Sequence, residues 1–230
     1  MCGRKTLTWD IQSIITDLKI DHCLANDFQP SYNIAPTQLS PILYAKENSR
    51  IIRTMNWGLI PHWSKDQSIS PKMINARSET ILEKPSFQNL INQNRCIIIA
   101  DGYYEWKNSG HHSQPYYIYH KNHTLLPMAG LWTTWQSEEN IQIQSYTIIT
   151  TNSQPEIDHI HTRMPIILNP KDIDQWIQCN TVSSHEALQL LVPYIIPLSF
   201  HPVSSKINST KNNSADCIDP INYSPTMQLF

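Results

Sequence analysis

The sequence predicts an α+β fold, with a mainly antiparallel β-sheet or barrel-like core and a few peripheral helices. Short runs rich in isoleucine, tyrosine, threonine and tryptophan recur along most of the chain, and these residue types favour strands. Turn-forming residues separate consecutive runs, as expected where neighbouring strands pair antiparallel. Helical spacing of apolar residues is confined to a few short segments. We expect a single domain that spans residues 1–230.

The first half of the chain predicts two helices around a group of strands. Apolar residues recur at helical spacing within residues 7–25, and Asp10 is a candidate cap, so this segment predicts a short amphipathic helix. Residues 42–44 and 51–57 are β-prone and lie between prolines, which predicts strands. A second short helix is predicted within residues 81–93.

The second half predicts more strands, two helices and a terminal loop. The predicted strands are 96–100, 116–119, 128–135, 141–151 and 198–203. Residues 170–178 and 183–192 have helical patterns. Residues 204–216 are rich in serine, asparagine and lysine, which predicts an exposed polar loop.

The composition indicates where the protein is located and which kinds of partner it can bind. The five cysteines are an odd number without CxxC spacing, which argues against a disulfide framework or a structural zinc site. Without an apolar run near ~18 residues or a signal-like terminus, we expect a cytoplasmic protein that does not contact membranes. A net charge of −2 gives no general attraction to polyanions, so any nucleic-acid contact needs a local basic groove. Nothing in the sequence requires more than a monomer.

Cys2 directly follows the initiator methionine, so removal of Met1 would give one residue both a free α-amine and a thiol. The amine titrates near ~7.7–8.0, which leaves a useful nucleophilic fraction at neutral pH. An amine and a thiol on the same residue suit an aldehyde: an imine forms first, and the thiol then closes a thiazolidine ring. The alternative is an incidental cysteine at a frayed terminus.

Glu105 and His161 are the candidate proton-transfer groups. Glu105 is flanked by aromatic residues just after a buried strand, and such surroundings raise a carboxyl pKa by desolvation. The alternative is a surface glutamate at a strand end. His161 could shuttle a proton, and in an extended segment Arg163 would share its face. The pair His159 and His161 also fits metal binding, but no accompanying ligand set at zinc-like spacing supports a metal site.

Asn75, Arg77 and Trp63 are candidate contacts for a substrate. In an extended segment Asn75 and Arg77 point the same way, and an amide and a guanidinium suit an oxyanion and a phosphate. The same segment also fits a turn in which Ser78 or Thr80 caps the following helix. Trp63 is the more exposed candidate of a tryptophan pair with Trp57, and an exposed tryptophan can stack on a base.

Several segments together resemble the SOS-response-associated peptidase family, also called SRAP. The matching segments are residues 1–4, 32–37, 57–61 together with Trp63, 75–80, 95–106, 129–132, 149–151 and 161–165. The resemblance therefore extends over nearly the whole chain.

This resemblance implies a sensor of abasic sites in single-stranded DNA that crosslinks itself to the ring-opened sugar, with self-processing of Met1 and possible lyase activity. It implies no cofactor or metal, and a protein associated with the nucleoid when bound to DNA. The implied catalytic residues are Cys2 as nucleophile, Glu105 as acid and base, His161 as proton donor and Asn75 as polar orienter. The implied DNA contacts are Arg4, Trp63, Arg77, Thr151 and Arg163.

Two other functions remain compatible with the residues. Glutamine amidotransferases also begin Met-Cys-Gly and use the cysteine thiol against an amide, so an N-terminal-nucleophile amidohydrolase is one alternative. That function leaves Glu105, His161 and the arginines without assigned roles. The other alternative is a noncovalent module for single-stranded DNA, which predicts salt-sensitive binding that needs no aldehyde.

Overall fold

The structure is a computed structural model that describes residues 2–110, 112–192 and 195–221. The strands in this part of the chain are β1 (Lys5–Leu7), β2 (His22–Leu24), β3 (Ser31–Ile34), β4 (Leu39–Lys46), β5 (Ser49–Trp57), β6 (Asn75–Arg77), β7 (Arg95–Ala100), β8 (Gly102–Ser109), β9 (His112–His120), β10 (Leu126–Gln136), β11 (Gln142–Asn152), β12 (Arg163–Pro165) and β13 (Leu198–Pro202). The α-helices there are α1 (Ile11–Asp17), α2 (Leu90–Gln93), α3 (Pro155–Asp158), α4 (Ile173–Ile177) and α5 (Ser184–Leu188). Six 3-10 segments complete the described regular structure: Gln67–Lys72, Ser78–Thr80, Pro170–Asp172, Gln189–Leu191, Ser205–Asn208 and Ala215–Cys217.

Five strands close into a barrel. Antiparallel pairing runs from β11 through β10, β7 and β4 to β5, and β5 then pairs in parallel with β11. Strands β2, β6 and β12 attach at its margins. At Gly130 of β10 a Cβ atom would overlap Ile98 of β7 and approach the backbone of β11, so the close approach of these strands requires glycine. The predicted α+β class with a mainly antiparallel, barrel-like core is confirmed.

A second sheet, in the order β13–β9–β8–β1–β3, packs beside the barrel. The fully buried strand β7 passes into β8 at Asp101, so the chain leaves the barrel and enters the second sheet within one residue. Asp101 fixes this corner, because its carboxylate accepts hydrogen bonds from Thr6 of β1 and from Thr8, which directly follows β1. The corner brings the start of the chain alongside β8.

The short helix predicted within residues 7–25, with Asp10 as its cap, is confirmed as α1. Only α1 is helical there, with Asp10 accepting a hydrogen bond from Ser13 N–H as a cap. Residues 5–7 and 22–24 are strands instead, because they pair with β3, β8 and β5. Long-range strand pairing overrides the helical spacing in this segment.

The helix predicted over residues 81–93 is wrong for most of its length. Only α2 is helical, and Pro85 lies where the remainder of that helix would need a backbone donor. Residues 78–80 form a 3-10 turn without a side-chain cap, so the predicted capping by Ser78 or Thr80 is also wrong. The helices predicted in 170–178 and 183–192 are confirmed by α4 and α5, and α5 has a capping box.

The polar segment 204–216 is mostly exposed, but two short 3-10 turns give it order. Ile207 is fully buried in a small cluster with Tyr104, Tyr117 and Val203. The segment therefore packs against the second sheet by one apolar side chain. Among the described residues, no helix has the length and apolar composition needed to span a membrane.

Candidate active site

Cys2 lies three residues before the start of β1 and is completely buried. Strand β1 pairs antiparallel with β8, with Lys5 opposite Tyr103, and the Tyr104 N–H donates to the Arg4 carbonyl oxygen at 2.9 Å. Glu105 follows on the same strand β8. The pairing of β1 with β8 therefore holds the amino-terminal segment next to the strand that carries the candidate acid.

Asn75 approaches Cys2 from the barrel side. It begins β6, which pairs in parallel with β11, and its Nδ2 donates to the Cys2 carbonyl oxygen at 2.8 Å. Its Oδ1 is buried and accepts no hydrogen bond from any described residue. One end of this amide thus positions the Cys2 backbone, and the other end is an available acceptor for a hydroxyl group.

Glu105 is only 2% exposed, and burial raises the pKa of its carboxyl group to about 7. Its Oε2 lies 4.0 Å from Nε2 of His161. A carboxyl group with this pKa exists in both protonation states near neutral pH. It can therefore give and take protons within one reaction cycle.

His161 is oriented by its own backbone turn. The Arg163 N–H donates to Nδ1 at 3.0 Å, and the Arg163 carbonyl oxygen lies farther from Nδ1, at 3.2 Å. The shorter contact favours a neutral imidazole with its proton on Nε2, the nitrogen that lies 4.0 Å from Glu105. Burial lowers the pKa of this imidazole from its ordinary value. Thr162 lies at a bend, so the predicted extended segment with His161 and Arg163 on one face does not form. His159 packs edge-on against Phe200 instead of joining His161.

The Cys2 thiol is held in its protonated form. Burial, followed by the nearby charge of Glu105, raises the pKa of this thiol well above its ordinary value. A protonated thiol needs a proton acceptor when it attacks an electrophile. Glu105 is the acidic side chain whose charge acts on it.

Two further residues belong to this site but were absent from the sequence predictions. Tyr103 is fully buried two residues before Glu105 on β8, and its pKa is raised by burial and then by the charges of Cys2 and Glu105. The i, i+2 alternation of a strand could have identified it. Lys5 is fully buried, with Nζ donating to Ser40 Oγ at 2.6 Å, and burial lowers its pKa to about 7. No pattern in the sequence marks a lysine in the core.

The three arginines predicted to hold phosphates differ in their surroundings. Nη1 of Arg4 donates to Oδ1 of Asn33 at 2.6 Å and to the Ile207 carbonyl oxygen at 2.5 Å. Arg163 makes an ion pair with Glu79. Arg77 is exposed at the end of β6, and its side chain donates no hydrogen bond to a described residue. Arg77 is therefore the guanidinium that is open to a ligand.

Trp63 is exposed to solvent, whereas Thr151 is buried. Trp63 is 52% exposed, whereas Trp57 is buried, as the sequence predicted for this pair. The loop of Trp63 is held by Trp135, whose Nε1 donates to the Ser64 carbonyl oxygen at 2.7 Å. Thr151 is buried in β11 and lines a small cavity together with Met164.

Within the described residues, no three histidine, cysteine, aspartate or glutamate side chains come together as a metal site would require.

Comparisons with known proteins identify relatives along the whole chain. Residues 1–210 match the family model described as SOS response associated peptidase (SRAP). The chain is 40% identical over 227 residues to the abasic site processing protein YoaM of Bacillus subtilis, covering 97% of this chain and 100% of that protein. It is 34% identical over 226 residues to the abasic site processing protein HMCES of Gallus gallus, covering 84% of this chain and 67% of that protein.

Two solved structures resemble this chain in fold. A crystal structure of a Bacteroides thetaiotaomicron protein has a TM-score of 0.86 at 24% identity, covering 96% of this chain and 100% of that one, and shows the same fold. A phage-related protein from Bordetella bronchiseptica has a TM-score of 0.70 at 28% identity, covering 88% and 94% of the two chains. With the family model matched over 210 of 230 residues, this chain belongs to the SOS response-associated peptidase family.

Proposed function

We propose that this protein processes abasic sites in single-stranded DNA by forming a thiazolidine crosslink through Cys2. The observation that carries the proposal is the convergence of Cys2, Asn75, Glu105 and His161, which come from four separate segments of the chain. Asn75 hydrogen-bonds the Cys2 carbonyl, Glu105 acts electrostatically on the Cys2 thiol, and His161 lies beside Glu105. Relatives named as abasic site processing proteins support the same substrate.

The reaction begins with processing of the amino terminus. Water hydrolyses the peptide bond between Met1 and Cys2, which releases methionine and leaves an α-amine on Cys2. The hydrogen bond from Asn75 to the Cys2 carbonyl oxygen then holds the backbone of the new terminal residue. A fixed nucleophile reacts as if at very high concentration, on the order of 10⁵ M in favourable geometries.

The closed sugar of an abasic site must open before it can react. In this proposal Nε2–H of His161 protonates the ring oxygen O4′, and the Glu105 carboxylate removes the proton of the C1′ hydroxyl, which gives the C1′ aldehyde. The amine of Cys2 adds to C1′ and its surplus proton moves to the oxygen. Water leaves and a C1′=N bond forms.

The thiol then completes the adduct. Sγ of Cys2 attacks C1′ and forms the C–S bond, while the electron pair of the C=N bond returns to nitrogen. The thiol proton passes to nitrogen, with Glu105 as carrier, and the five-membered ring closes. C1′ is now tetrahedral, so it no longer acidifies the C2′ proton whose loss would begin strand cleavage. The ring therefore shields the lesion.

Binding of the DNA strand is assigned to a small number of exposed groups. Arg77 would take a phosphate, because its guanidinium is exposed beside Asn75 on β6. Trp63 would stack on a base, a contact worth roughly 1–3 kcal/mol. Arg4, Arg163 and Thr151 are proposed as weaker DNA contacts, since Arg4 and Arg163 already bind protein groups and Thr151 is buried.

The test is a denaturing gel of purified protein, with Met1 shown by mass to be absent, incubated with a single-stranded oligonucleotide that carries one abasic site. A heat-tolerant shifted band without added reductant is expected. Cys2→Ala should abolish it, whereas Cys23→Ala, on the marginal strand β2, should leave it intact. Glu105→Gln should slow its formation or its reversal.

Other outcomes would favour the alternative functions. A noncovalent binder would retain the same oligonucleotide on a native gel, with and without the abasic site, but give no band after denaturation. An amidohydrolase would give neither result and would release ammonia from an amide substrate. Unchanged rates of both crosslinking and reversal in Glu105→Gln would remove Glu105 from the mechanism.

A further inference from the structure

Glu79 and Arg163 form a two-point ion pair that joins two segments of the candidate active site. Nη1 of Arg163 lies 2.5 Å from Oε1 of Glu79, and Nη2 lies 2.9 Å from Oε2. Glu79 belongs to the 3-10 turn directly after β6, whereas Arg163 begins β12. The hydrogen bond from Arg163 lowers the pKa of Glu79, so the pair is ionised at neutral pH.

The two terminal nitrogens of the Arg163 guanidinium also bind β11, whereas its buried Nε has no hydrogen-bond partner among the described residues. Nη2 donates to the Thr150 carbonyl oxygen at 2.7 Å, and Nη1 donates to Oδ1 of Asn152 at 3.0 Å. Both acceptors belong to β11, the strand that pairs with β6 and with β12. Arg163 thus anchors the start of β12 to β11 by hydrogen bonds and to the turn after β6 by charge.

The same residue sets the orientation of His161 through its backbone. The Arg163 N–H donates to Nδ1 of His161, and Ser153 binds the intervening backbone at the carbonyl oxygens of His161 and Thr162. On the other side of the ion pair, β6 carries Asn75, which holds the Cys2 carbonyl. The ion pair therefore connects the support of the imidazole with the support of the nucleophile.

We propose that Glu79 is a positioning residue which, through Arg163, holds the His161 imidazole with Nδ1 as acceptor and Nε2–H directed toward Glu105. A carboxylate matches both terminal nitrogens of the guanidinium in one plane, which fixes orientation as well as distance. An amide at position 79 offers one acceptor oxygen and no charge. The kinetic part of this inference rests on the proposed function, but the orientation of the imidazole does not.

The Arg163 guanidinium could either bind a DNA phosphate or hold the turn of His161, and the two roles predict different effects of removing the Glu79 carboxylate. If its main ligand were a DNA phosphate, Glu79 would compete with the DNA, and removing the carboxylate would chiefly strengthen binding. If its main role is to hold the turn of His161, removing the carboxylate impairs chemistry after the DNA has bound. Separate measurement of affinity and of the rate at saturating DNA tells these apart.

The experiment compares Glu79→Gln with Glu83→Gln, which removes the same charge from a nearby exposed glutamate. Crosslinking is followed in single turnovers at saturating abasic-site oligonucleotide, and affinity is measured with the intact oligonucleotide. For Glu79→Gln we expect a rate at least about threefold below that of Glu83→Gln, with no loss of affinity. Glu79→Asp, which keeps the charge on a shorter side chain, should lie between Glu79→Gln and wild type.

A spectroscopic measurement supplies a readout independent of activity. Imidazole ¹⁵N shifts of labelled protein, with the His161 signals assigned from a His161→Asn variant, report which ring nitrogen carries the proton. Wild type and Glu83→Gln should give the Nε2–H tautomer, and Glu79→Gln a mixture. A Glu79→Gln protein that matches Glu83→Gln in both rate and tautomer would overturn the inference. If wild type forms no crosslink, the proposed function fails and the tautomer alone decides the role of Glu79.

Discussion

At the scale of single residues, Glu105 illustrates how burial prepares a group for proton transfer. The sequence pointed to this carboxyl group through its aromatic neighbours, and in the structure it is almost fully buried between the second sheet and His161. Burial penalises the charged form and brings the pKa to about 7. The same penalty lowers the stability of the folded protein wherever Glu105 is ionised.

We therefore predict a pH-dependent gain in stability for Glu105→Gln. The folded pKa of about 7 exceeds the unfolded value of ~4.3, so the folded state binds this proton more tightly, and the associated stability is lost as pH rises through that window. Glutamine has no such dependence. At pH 8 the variant should exceed wild type by up to about 3 kcal/mol, and near pH 4.5 the difference should nearly vanish.

Urea unfolding at the two pH values measures this difference. Glu83→Gln, at an exposed position, is the matched control and should show little change at either pH. An equal gain for Glu105→Gln at pH 4.5 and at pH 8 would contradict a titrating buried carboxyl group.

For Asn75→Ala we predict slower crosslinking with a modest loss of stability. The change removes the donor to the Cys2 carbonyl oxygen, a bond worth about 1 kcal/mol to folding, and frees the nucleophile to adopt unproductive positions. Single-turnover rates should fall by about tenfold or more. Asn92→Ala, at an exposed position in α2, should retain the wild-type rate. Equal rates for the two variants would remove Asn75 from a positioning role.

At the scale of elements, the site depends on short strands that sequence reasoning could locate only in part. Of the two conformations that the sequence allowed for Asn75 and Arg77, the extended one forms, as β6. His161 and Arg163 would share a face only in an extended segment, and the chain instead bends at Thr162. The contacts that decide these conformations join residues far apart in sequence, such as Asn75 with Cys2 and Arg163 with Glu79. Local patterns contain no information on such pairs.

The segment 204–216, which follows β13, is bound to β3 through Asn33. Asn33 of β3 is buried, and its Nδ2 donates to the carbonyl oxygens of Ile207, Ser209 and Asn212. Asn33→Ala would remove these three hydrogen bonds and the one that Oδ1 of Asn33 accepts from Arg4, and it should lower the free energy of unfolding by on the order of 3 kcal/mol.

Two measurements test this contribution of Asn33. Urea unfolding gives the energy, and limited proteolysis should cleave within residues 204–216 faster in Asn33→Ala. Asn213→Ala removes hydrogen bonds at an exposed position and should cost less than about 1 kcal/mol. Identical losses for the two variants would show that Asn33 does not hold the segment.

At the scale of the whole molecule, the net charge bears on DNA binding, and the strand topology decides how much of the fold could be predicted. The net charge of −2 gives the protein little general attraction to DNA, so the proposed strand binding would depend on local groups such as Arg77. The class of fold and the mainly antiparallel pairing were predicted from composition and turns, and the barrel-like core is confirmed. Its closure was not derivable, because the parallel contact of β5 with β11 leaves no local pattern.

Arg77→Ala should weaken binding to single-stranded DNA at moderate salt. Loss of one phosphate contact on a single strand should reduce the slope of log affinity against log salt by about 0.7. Fluorescence anisotropy with an intact oligonucleotide over a range of salt concentrations measures both quantities. Lys121→Ala, at an exposed position remote in sequence from the site, should leave the slope unchanged. An unaltered slope for Arg77→Ala would count against a phosphate contact.

The burial of the Cys2 thiol has a consequence for the durability of the protein. Peroxides and alkylating agents attack the thiolate, and both burial and the raised pKa of Cys2 keep that form scarce. Half-exposed cysteines such as Cys23 have less protection. We expect the nucleophile to survive oxidative conditions that modify the more accessible cysteines first. In the proposed reaction, the chemical selectivity of this sulfur would follow from its low reactivity: it would stay inert toward small electrophiles until the amine had captured an aldehyde beside it.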